Sequence, residues 1–445
     1  MSKLVCAFIP GNAFRVLVSV CAVALGSTSA PAQRITLDMQ NKGNVQDYLR
    51  GRLDRFPDKS IHHLPAAQIA KARAAAAAAA PSSPVRAPIY PFFQPSSRSG
   101  SVNYGFMVGT SPFSEDVHGS SVPTYVVPLV FKVHQVATEF EVDANNNLIL
   151  TGITNKDATF DPTQAAPACL GTKNNVPFTL AVQSPIFQDH HWVWGGTDLG
   201  NTQYVDAFQR ANFWKAIGED AESYHVRLSP VHVLPPVVLD FPAGSGIGLP
   251  QSSSFLGPYS ACAPTVMVDI NYFDELLDYI VIPGLKAAGV NASTFPMFIG
   301  GNVLWGAVIN ELPYFIPEAA GYHSLSDLDP AQNYGVTQFG DEHVFTWPDA
   351  IPLSHEVGEW MNDPSTANFV QLYGTSPNCQ GNYEVGDILA GVFMPPVTGK
   401  NGYTYTLQEL AFFSYFYGGP SLAVNGWYSN NDTLKTDAGP VCSLF

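Results

Sequence analysis

Asp349-Ala-Ile-Pro-Leu-Ser-His-Glu-Val-Gly-Glu-Trp-Met-Asn-Asp-Pro364 is the most informative segment of this 445-residue chain. Pro352 suits the first turn of a helix, whereas Pro364 disfavours helical geometry at the residue before it. We therefore predict a short helix over about Pro352 to Asn362. A helical period of about 100° per residue separates two faces. The apolar face comprises Leu353, Val357, Trp360 and Met361, and the opposite face His355, Glu359 and Asn362.

The polar face of this helix has the spacing of a metal site. His355 and Glu359 stand at positions i and i+4, from which an imidazole nitrogen and a carboxylate reach one ion. Glu356 lies at the edge between them, where it could accept a proton from water, as the glutamate of HExxH sites does. Because the last histidine is replaced by glutamate, the motif is HExxE. An exposed helix with ordinary surface carboxylates is the alternative.

Two further carboxylates follow in the segment Asn382-Tyr-Glu-Val-Gly-Asp387. We predict Glu384 as the third ligand and Asp387 as the residue that orients His355, because ligating histidines usually donate their other N–H to an oxygen. A solvated turn is the alternative. One histidine and two carboxylates make a hard ligand set. Zn²⁺ is the favoured ion, with Mn²⁺, Fe²⁺ and Ca²⁺ left open.

Other histidines are assigned smaller roles. His343 and His323 are candidates for stabilising a developing oxyanion, and a structural role is the alternative for each. His190 and His191 are adjacent, so in a strand they point to opposite faces and cannot chelate together. With the tryptophans beside them, they are predicted to form a surface or a cleft lip.

The composition limits the class of protein. Hydrophobic residues make up 46% of the chain and charged ones only 13%, which excludes a disordered chain or a coiled coil. The formal charge of −16 opposes binding to nucleic acid or to an anionic membrane.

The first residues resemble a secretory signal. Lys3 and Arg15 precede an apolar run from Val16 to Leu25, and Ala30-Pro-Ala32 fits a cleavage site. We predict a signal peptide over residues 1–32, a secreted, extracellular or periplasmic protein, and no membrane span after cleavage. A membrane anchor is the alternative, although the apolar run is shorter than the ~20 residues that a span needs.

Four cysteines remain after residue 32, an even number that suggests two disulfides in an oxidising compartment. They are Cys169, Cys262, Cys379 and Cys442. Three pairings are possible, and we favour Cys169 with Cys262 and Cys379 with Cys442. Metal binding by these thiols is disfavoured because no CxxC unit is present.

Composition divides the rest of the chain into three parts. Residues 33–100 contain an alanine-rich helix and a proline-rich stretch, which read as a linker or a propeptide. Residues 101–250 are predicted to be β-rich, and residues 251–445 to contain the metal site.

Local patterns predict the main elements. Predicted strands are Tyr125–Val133, Val237–Phe241, Thr265–Asn271 and Met297–Leu304, and predicted helices are Thr202–Ile217 and Phe273–Gly284. Residues 321–341 read as loops and an edge strand. The capping-box pattern from Thr406 to Glu409 predicts a helix over Leu407–Tyr417, whose aromatic residues form core and cleft wall.

The order of the motifs resembles a known family. Ser354-His-Glu-x-x-Glu-x-x-x-Asp-Pro364, followed by Glu384-Val-Gly-Asp387, is similar to secreted bacterial proteins of the zincin type and, more remotely, to the exordium-like, phosphate-induced proteins of plants. The resemblance covers mainly residues 320–390. It implies an α+β fold whose zincin-like half places the HExxE helix under a mixed sheet. It also implies ligand roles for His355, Glu359 and Glu384 and a base role for Glu356. The cysteines of the plant proteins are not matched here.

These observations predict a secreted metal-dependent hydrolase acting on peptides or proteins. A non-catalytic extracellular binding or wall-associated protein is the main alternative, because the 28 Phe, 19 Tyr and 7 Trp also suit polysaccharide-binding surfaces. A glycosidase that uses Glu356 and Glu384 as its paired carboxylates is a third.

Overall fold

A computed structural model gives the mixed α+β architecture of the chain. It describes residues 63–78, 86–97, 100, 102–136, 139–142, 148–152, 156–166, 175–249, 264–309, 314–340, 349–373 and 380–437. The predicted signal peptide, His343 and the four cysteines lie outside the described residues. Within them, no helix has the length and apolar character that crossing a membrane requires.

Helices are short, and the eight α-helices of the described residues are divided equally between the two halves of the chain. The α-helices are α1 (Ala66–Ala78), α2 (Pro177–Val182), α3 (Tyr204–Asn212), α4 (Trp214–Ile217), α5 (Ile270–Leu276), α6 (Ile282–Leu285), α7 (Ile351–Asn362) and α8 (Phe413–Tyr417). A π-helical turn, Leu277–Val281, joins α5 to α6. The 3₁₀ turns are Gly218–Glu222, Lys286–Ala288, Asp387–Leu389 and Val424–Gly426.

Strands form two large sheets and several hairpins. The first ten strands are β1 (Ile89–Pro95), β2 (Val102–Val108), β3 (Ser120–Val133), β4 (Glu139–Val142), β5 (Leu148–Gly152), β6 (Ala158–Phe160), β7 (His190–Trp194), β8 (Thr197–Thr202), β9 (Val226–Val233) and β10 (Val237–Phe241). The others are β11 (Gly246–Leu249), β12 (Thr265–Asp269), β13 (Phe295–Gly300), β14 (Val303–Ile309), β15 (Tyr314–Ala319), β16 (Gly321–Leu325), β17 (Asn333–Gln338), β18 (Phe369–Tyr373), β19 (Gln380–Asn382), β20 (Val397–Thr398) and β21 (Thr404–Tyr405).

The larger sheet positions the motif helix. Its order is β10-β3-β13-β17-β16, with β6 and β9 also paired to β3. Pairing is parallel except for β16 with β17 and β6 with β3. The sheet thus joins strands from both predicted regions, 101–250 and 251–445. The second sheet has the order β11-β12-β14-β15-β5-β4.

The larger sheet separates two hydrophobic cores. Successive residues of β13 face opposite sides, as in any strand: Met297 and Ile299 contribute to one core and Phe298 to the other. The core on the side of Met297 contains α7 and the aromatic residues of α8. Helix α7 therefore lies against β16 and β17, the edge that carries His323.

All twelve residues of α7 are buried. Trp360 stacks on Phe295 of β13, with ring centroids 3.7 Å apart, and its Nε1 donates to Asn333 Oδ1 at 3.1 Å. The polar face is enclosed as well, by the segment from Tyr383 to Asp387 and by Gln408. The alternative of an exposed helix with surface carboxylates is therefore excluded.

The predicted helix over Leu407–Tyr417 is wrong for its first half. Residues before Phe413 are extended, because their backbone groups bond to distant segments: Leu407 accepts from Met394 N, and Glu409 N donates to Val392. Glu409 does not cap a helix. Its buried carboxylate instead accepts from Ser429 and from both the backbone and the hydroxyl of Thr433.

The observed bounds of other helices and strands also differ from the predicted ones. The predicted strand Met297–Leu304 is divided between β13 and β14, and the predicted helix Phe273–Gly284 contains the π-helical turn and continues beyond Pro283. Residues 321–341 contain a second strand, β17, which lies between β13 and β16. The tryptophans beside His190 and His191 do not form a surface, since Trp192 and Trp194 are buried.

The alanine-rich helix packs against the rest of the protein. Glu275 of α5 accepts hydrogen bonds from Leu64 N at 2.6 Å and from His63 Nδ1 at 2.9 Å. Arg73 donates to Tyr279 Oη at 2.9 Å. Residues 63–78 are therefore held against the helical segment that contains the π turn.

Candidate metal centre

Three segments meet at the polar face of α7. The helix supplies His355, Glu356 and Glu359, strand β16 supplies His323, and the turn after β19 supplies Glu384 and Asp387. Each of these six side chains belongs to a residue that is at least nine-tenths buried. Such a concentration of ionisable groups in a protein interior is costly unless each group is paired or binds a metal.

Two groups of potential ligands overlap here. In the first, one ligand atom each from His355, Glu359 and Asp387 lies within 4.8 Å of the others. In the second, the same holds for His323, Glu356 and Glu359. Glu359 belongs to both groups.

The imidazole of His355 is oriented for binding through Nε2. Gln408 donates from Nε2 to the carbonyl of Gly386, which turns its Oε1 toward His355 Nδ1 at 2.9 Å. Since Nδ1 donates this hydrogen bond, the other ring nitrogen carries the lone pair of the neutral ring. That Nε2 lies 3.0 Å from Glu359 Oε1 and 3.3 Å from Asp387 Oδ1.

His323 repeats this arrangement. Its Nε2 lies 3.0 Å from the backbone carbonyl of Asp363, which can only accept a hydrogen bond, so this nitrogen carries the proton. Its Nδ1 faces Glu356 Oε2 at 3.4 Å. Glu384 Oε2 lies 4.0 Å from Nε2.

Burial changes the proton affinities of these groups. It raises the pKa of Glu356 to about 8, against the lowering effect of His355. Burial, followed by the charge of Glu359, raises the pKa of Glu384 well above its usual value. Burial lowers the pKa of His323, whereas for His355 the neighbouring carboxylates outweigh burial and raise the pKa. When no cation is bound, protons on the carboxylates and histidines must offset the negative charge of the cluster.

Two glycines allow the close packing of the centre. A Cβ on Gly386 would lie 2.5 Å from His355 Nδ1, and one on Gly321 would lie 2.8 Å from Glu356 Cγ. Neither distance is tolerated between a Cβ and an atom to which it is not bonded. The turn before Asp387 and the start of β16 can approach α7 only because these positions lack side chains.

Of the residues predicted from the sequence, the structure brings together His323, His355, Glu356, Glu359, Glu384 and Asp387, in a different arrangement, whereas His343 lies outside the described residues. Asp387 joins His355 and Glu359, and Gln408 occupies the orienting position on Nδ1. Glu384 lies next to His323. No sequence signal marks Gln408, because the capping-box pattern predicts a helix for its segment and not a contact with His355.

Gln408 provides a test of how this centre is oriented. We expect Gln408→Leu to weaken metal binding by about 10–100-fold, the usual effect of removing the partner of a ligating histidine. Titration calorimetry of the metal-free protein with Zn²⁺ measures this change. Gln408→Glu keeps an acceptor oxygen for His355 and should bind more tightly than the leucine variant. Equal affinities for the two variants would contradict the orienting role.

No family model, curated protein or solved structure matches this chain.

Proposed function

We propose that this protein is a secreted, metal-dependent hydrolase whose ion is held by His355, Glu359 and Asp387. The observation that carries this proposal is the position of His355 Nε2, a buried atom that makes no hydrogen bond of good geometry within the described part of the chain and faces two carboxylate oxygens. A divalent cation satisfies all three atoms. The ligand set suits Zn²⁺, with Mn²⁺ and Fe²⁺ as further candidates.

The chemistry of the bound ion would be that of a Lewis acid, which polarises a carbonyl group and makes water more acidic. Glu356 is the residue placed to accept the proton. Its Oε1 lies 4.0 Å from His355 Nε2. Without an ion, burial raises its pKa to about 8. The charge of a nearby cation lowers the pKa of a carboxyl group, toward the neutral range in which a general base works best. His323 contacts the same carboxylate and fixes its position.

A peptide is the substrate class that the zincin-type resemblance implies. Strand β16, which carries His323, pairs within the described sheet only with β17. All five of its residues are buried, so within the described part of the chain this strand offers no open edge to a peptide.

The proposal predicts that Glu356→Gln lowers hydrolysis by about 10²–10⁴-fold, the usual contribution of a general base. The variant should retain the ion, because Glu356 is not among the three proposed ligands. The experiment supplies one equivalent of Zn²⁺ per chain and follows cleavage of a mixed peptide library by mass spectrometry, alongside elemental analysis. Unchanged cleavage with metal bound would refute the role of Glu356.

A non-catalytic extracellular protein with a structural ion is the second candidate. The observation that favours it is burial, because structural metal sites are closed, whereas catalytic sites keep an open position. His355 is 7% exposed and Glu356 2%. The peptide library separates the two candidates: bound metal that raises the melting temperature without any cleavage would favour the structural role.

A further inference from the structure

We propose that this centre binds two divalent cations, with Glu359 shared between them. The first is the ion of the proposed function. The second is held by His323, Glu356 and Glu359, and its binding inhibits hydrolysis. The inhibition of hydrolysis by the second ion rests on the proposed function, whereas the number of bound ions does not.

His323 is oriented to bind an ion through Nδ1. Its Nε2 donates to the carbonyl of Asp363, so the lone pair of the neutral ring is on Nδ1. That lone pair faces Glu356 Oε2 at 3.4 Å. Two electron pairs in contact inside a protein repel each other unless a proton or a cation lies between them. His323 therefore offers a ring nitrogen to the second group, as His355 does to the first.

The balance of charge also favours two ions. Four carboxylates lie within 4.0 Å of a ring nitrogen of the two histidines, those of Glu356, Glu359, Glu384 and Asp387. The buried carboxylate of Asp363 is stabilised separately, by the backbone N–H groups of Ala367 and Asn368. When the histidines are neutral ligands, one divalent cation offsets two of these four charges. Two cations offset all four. A buried excess of negative charge is unfavourable, so the set of side chains fits two ions better than one.

A further buried atom adds to the charge of the centre. Glu384 Oε2 accepts no hydrogen bond within the described part of the chain, and it lies 4.0 Å from His323 Nε2, the nitrogen that donates to Asp363. Neither ligand group includes it, so its charge adds to the charge that bound cations must offset. Two histidines with four carboxylates also form the ligand set of known two-ion carboxylate centres.

The two positions should fill in order. His355 Nε2 has two carboxylate oxygens within 3.3 Å, whereas His323 Nδ1 has its nearest recorded one at 3.4 Å, and we expect the first position to bind more tightly. Once Glu356 is a ligand, its carboxylate no longer accepts a proton from water. Hydrolysis should therefore increase up to one equivalent of metal and decrease as the second position fills.

The test is a count of bound ions. Metal-free, full-length protein is equilibrated with Zn²⁺ by dialysis, and zinc per chain is measured by elemental analysis, with titration calorimetry for affinities. We expect two ions in the wild type and one in His323→Ala. His191→Ala, which removes an exposed histidine far along the chain, is the control and should bind two. Circular dichroism confirms that each variant is folded, and Glu356→Gln replaces His323→Ala if the latter is not.

Each outcome decides a different point. One ion in the wild type overturns the second site and leaves the proposed function standing. Two ions in both the wild type and His323→Ala overturn the assignment of His323. No stoichiometric metal overturns both proposals. Two ions with hydrolysis that continues to increase up to saturation would retain the second site and refute inhibition.

Discussion

Glu359→Gln is expected to remove both ions and reduce hydrolysis to background. Glu359 is the one residue common to the two ligand groups, and its Oε1 contacts His355 Nε2 at 3.0 Å and accepts from Gly386 N at 3.1 Å. The amide keeps the size of the side chain and loses the charge that binds cations. Loss of an actual ligand should exceed the ~10–100-fold effect of losing a supporting partner. Elemental analysis and the peptide-library assay measure the two effects.

A second buried glutamate provides the matched control. Glu409 is as buried as Glu359, yet it accepts its hydrogen bonds from the loop at Ser429 and Thr433 and takes no part in either ligand group. Glu409→Gln should retain stoichiometric metal while lowering the melting temperature. If Glu409→Gln lost metal as completely as Glu359→Gln, general loosening of the fold would explain both results, and the ligand role of Glu359 would be refuted.

The motif helix could be predicted from the sequence because local rules fix its ends. Pro352 suits the first helical turn, and Pro364 disfavours helical geometry at the residue before it. Helix α7 accordingly begins and ends within one residue of the predicted limits. The strand Val237–Phe241 was likewise predicted with its observed bounds. A segment rich in β-branched and aromatic residues favours a strand, so it can be recognised from the local sequence without knowing which strand it pairs with.

The other features of the fold and of the metal centre depend on contacts between distant parts of the chain. The sequence cannot show that Leu407 pairs with Met394 rather than starting a helix. It therefore does not indicate Gln408 as a partner of His355. Similarly, Glu384 and Asp387 are three residues apart, and which of them approaches His355 depends on how closely the turn at Gly386 packs against α7. Tertiary packing overrides local propensity at these positions.

Trp360→Ala is expected to produce the largest loss of stability, about 3–5 kcal/mol, as for other buried tryptophans. The ring is fully buried, stacks on Phe295 and donates to Asn333. Its removal leaves a cavity between α7 and the larger sheet and an acceptor without its donor. Urea denaturation followed by circular dichroism measures the change. Trp214→Ala is the control, because that tryptophan is only partly buried, and it should cost less than half as much.

Trp360→Ala also tests whether the stability of the core and the binding of metal are independent of each other. Trp360 lies on the opposite side of α7 from His355, and its contacts are with strands of the sheet. If the helix stays in place, Trp360→Ala still binds metal, and an ion at ~100 times its dissociation constant adds about 2.7 kcal/mol to the free energy of unfolding. Metal should therefore raise the melting temperature of the variant as it raises that of the wild type. A variant that unfolds earlier and gains nothing from Zn²⁺ would mean that Trp360 holds the ligands in position, and that the core and the centre are one cooperative unit.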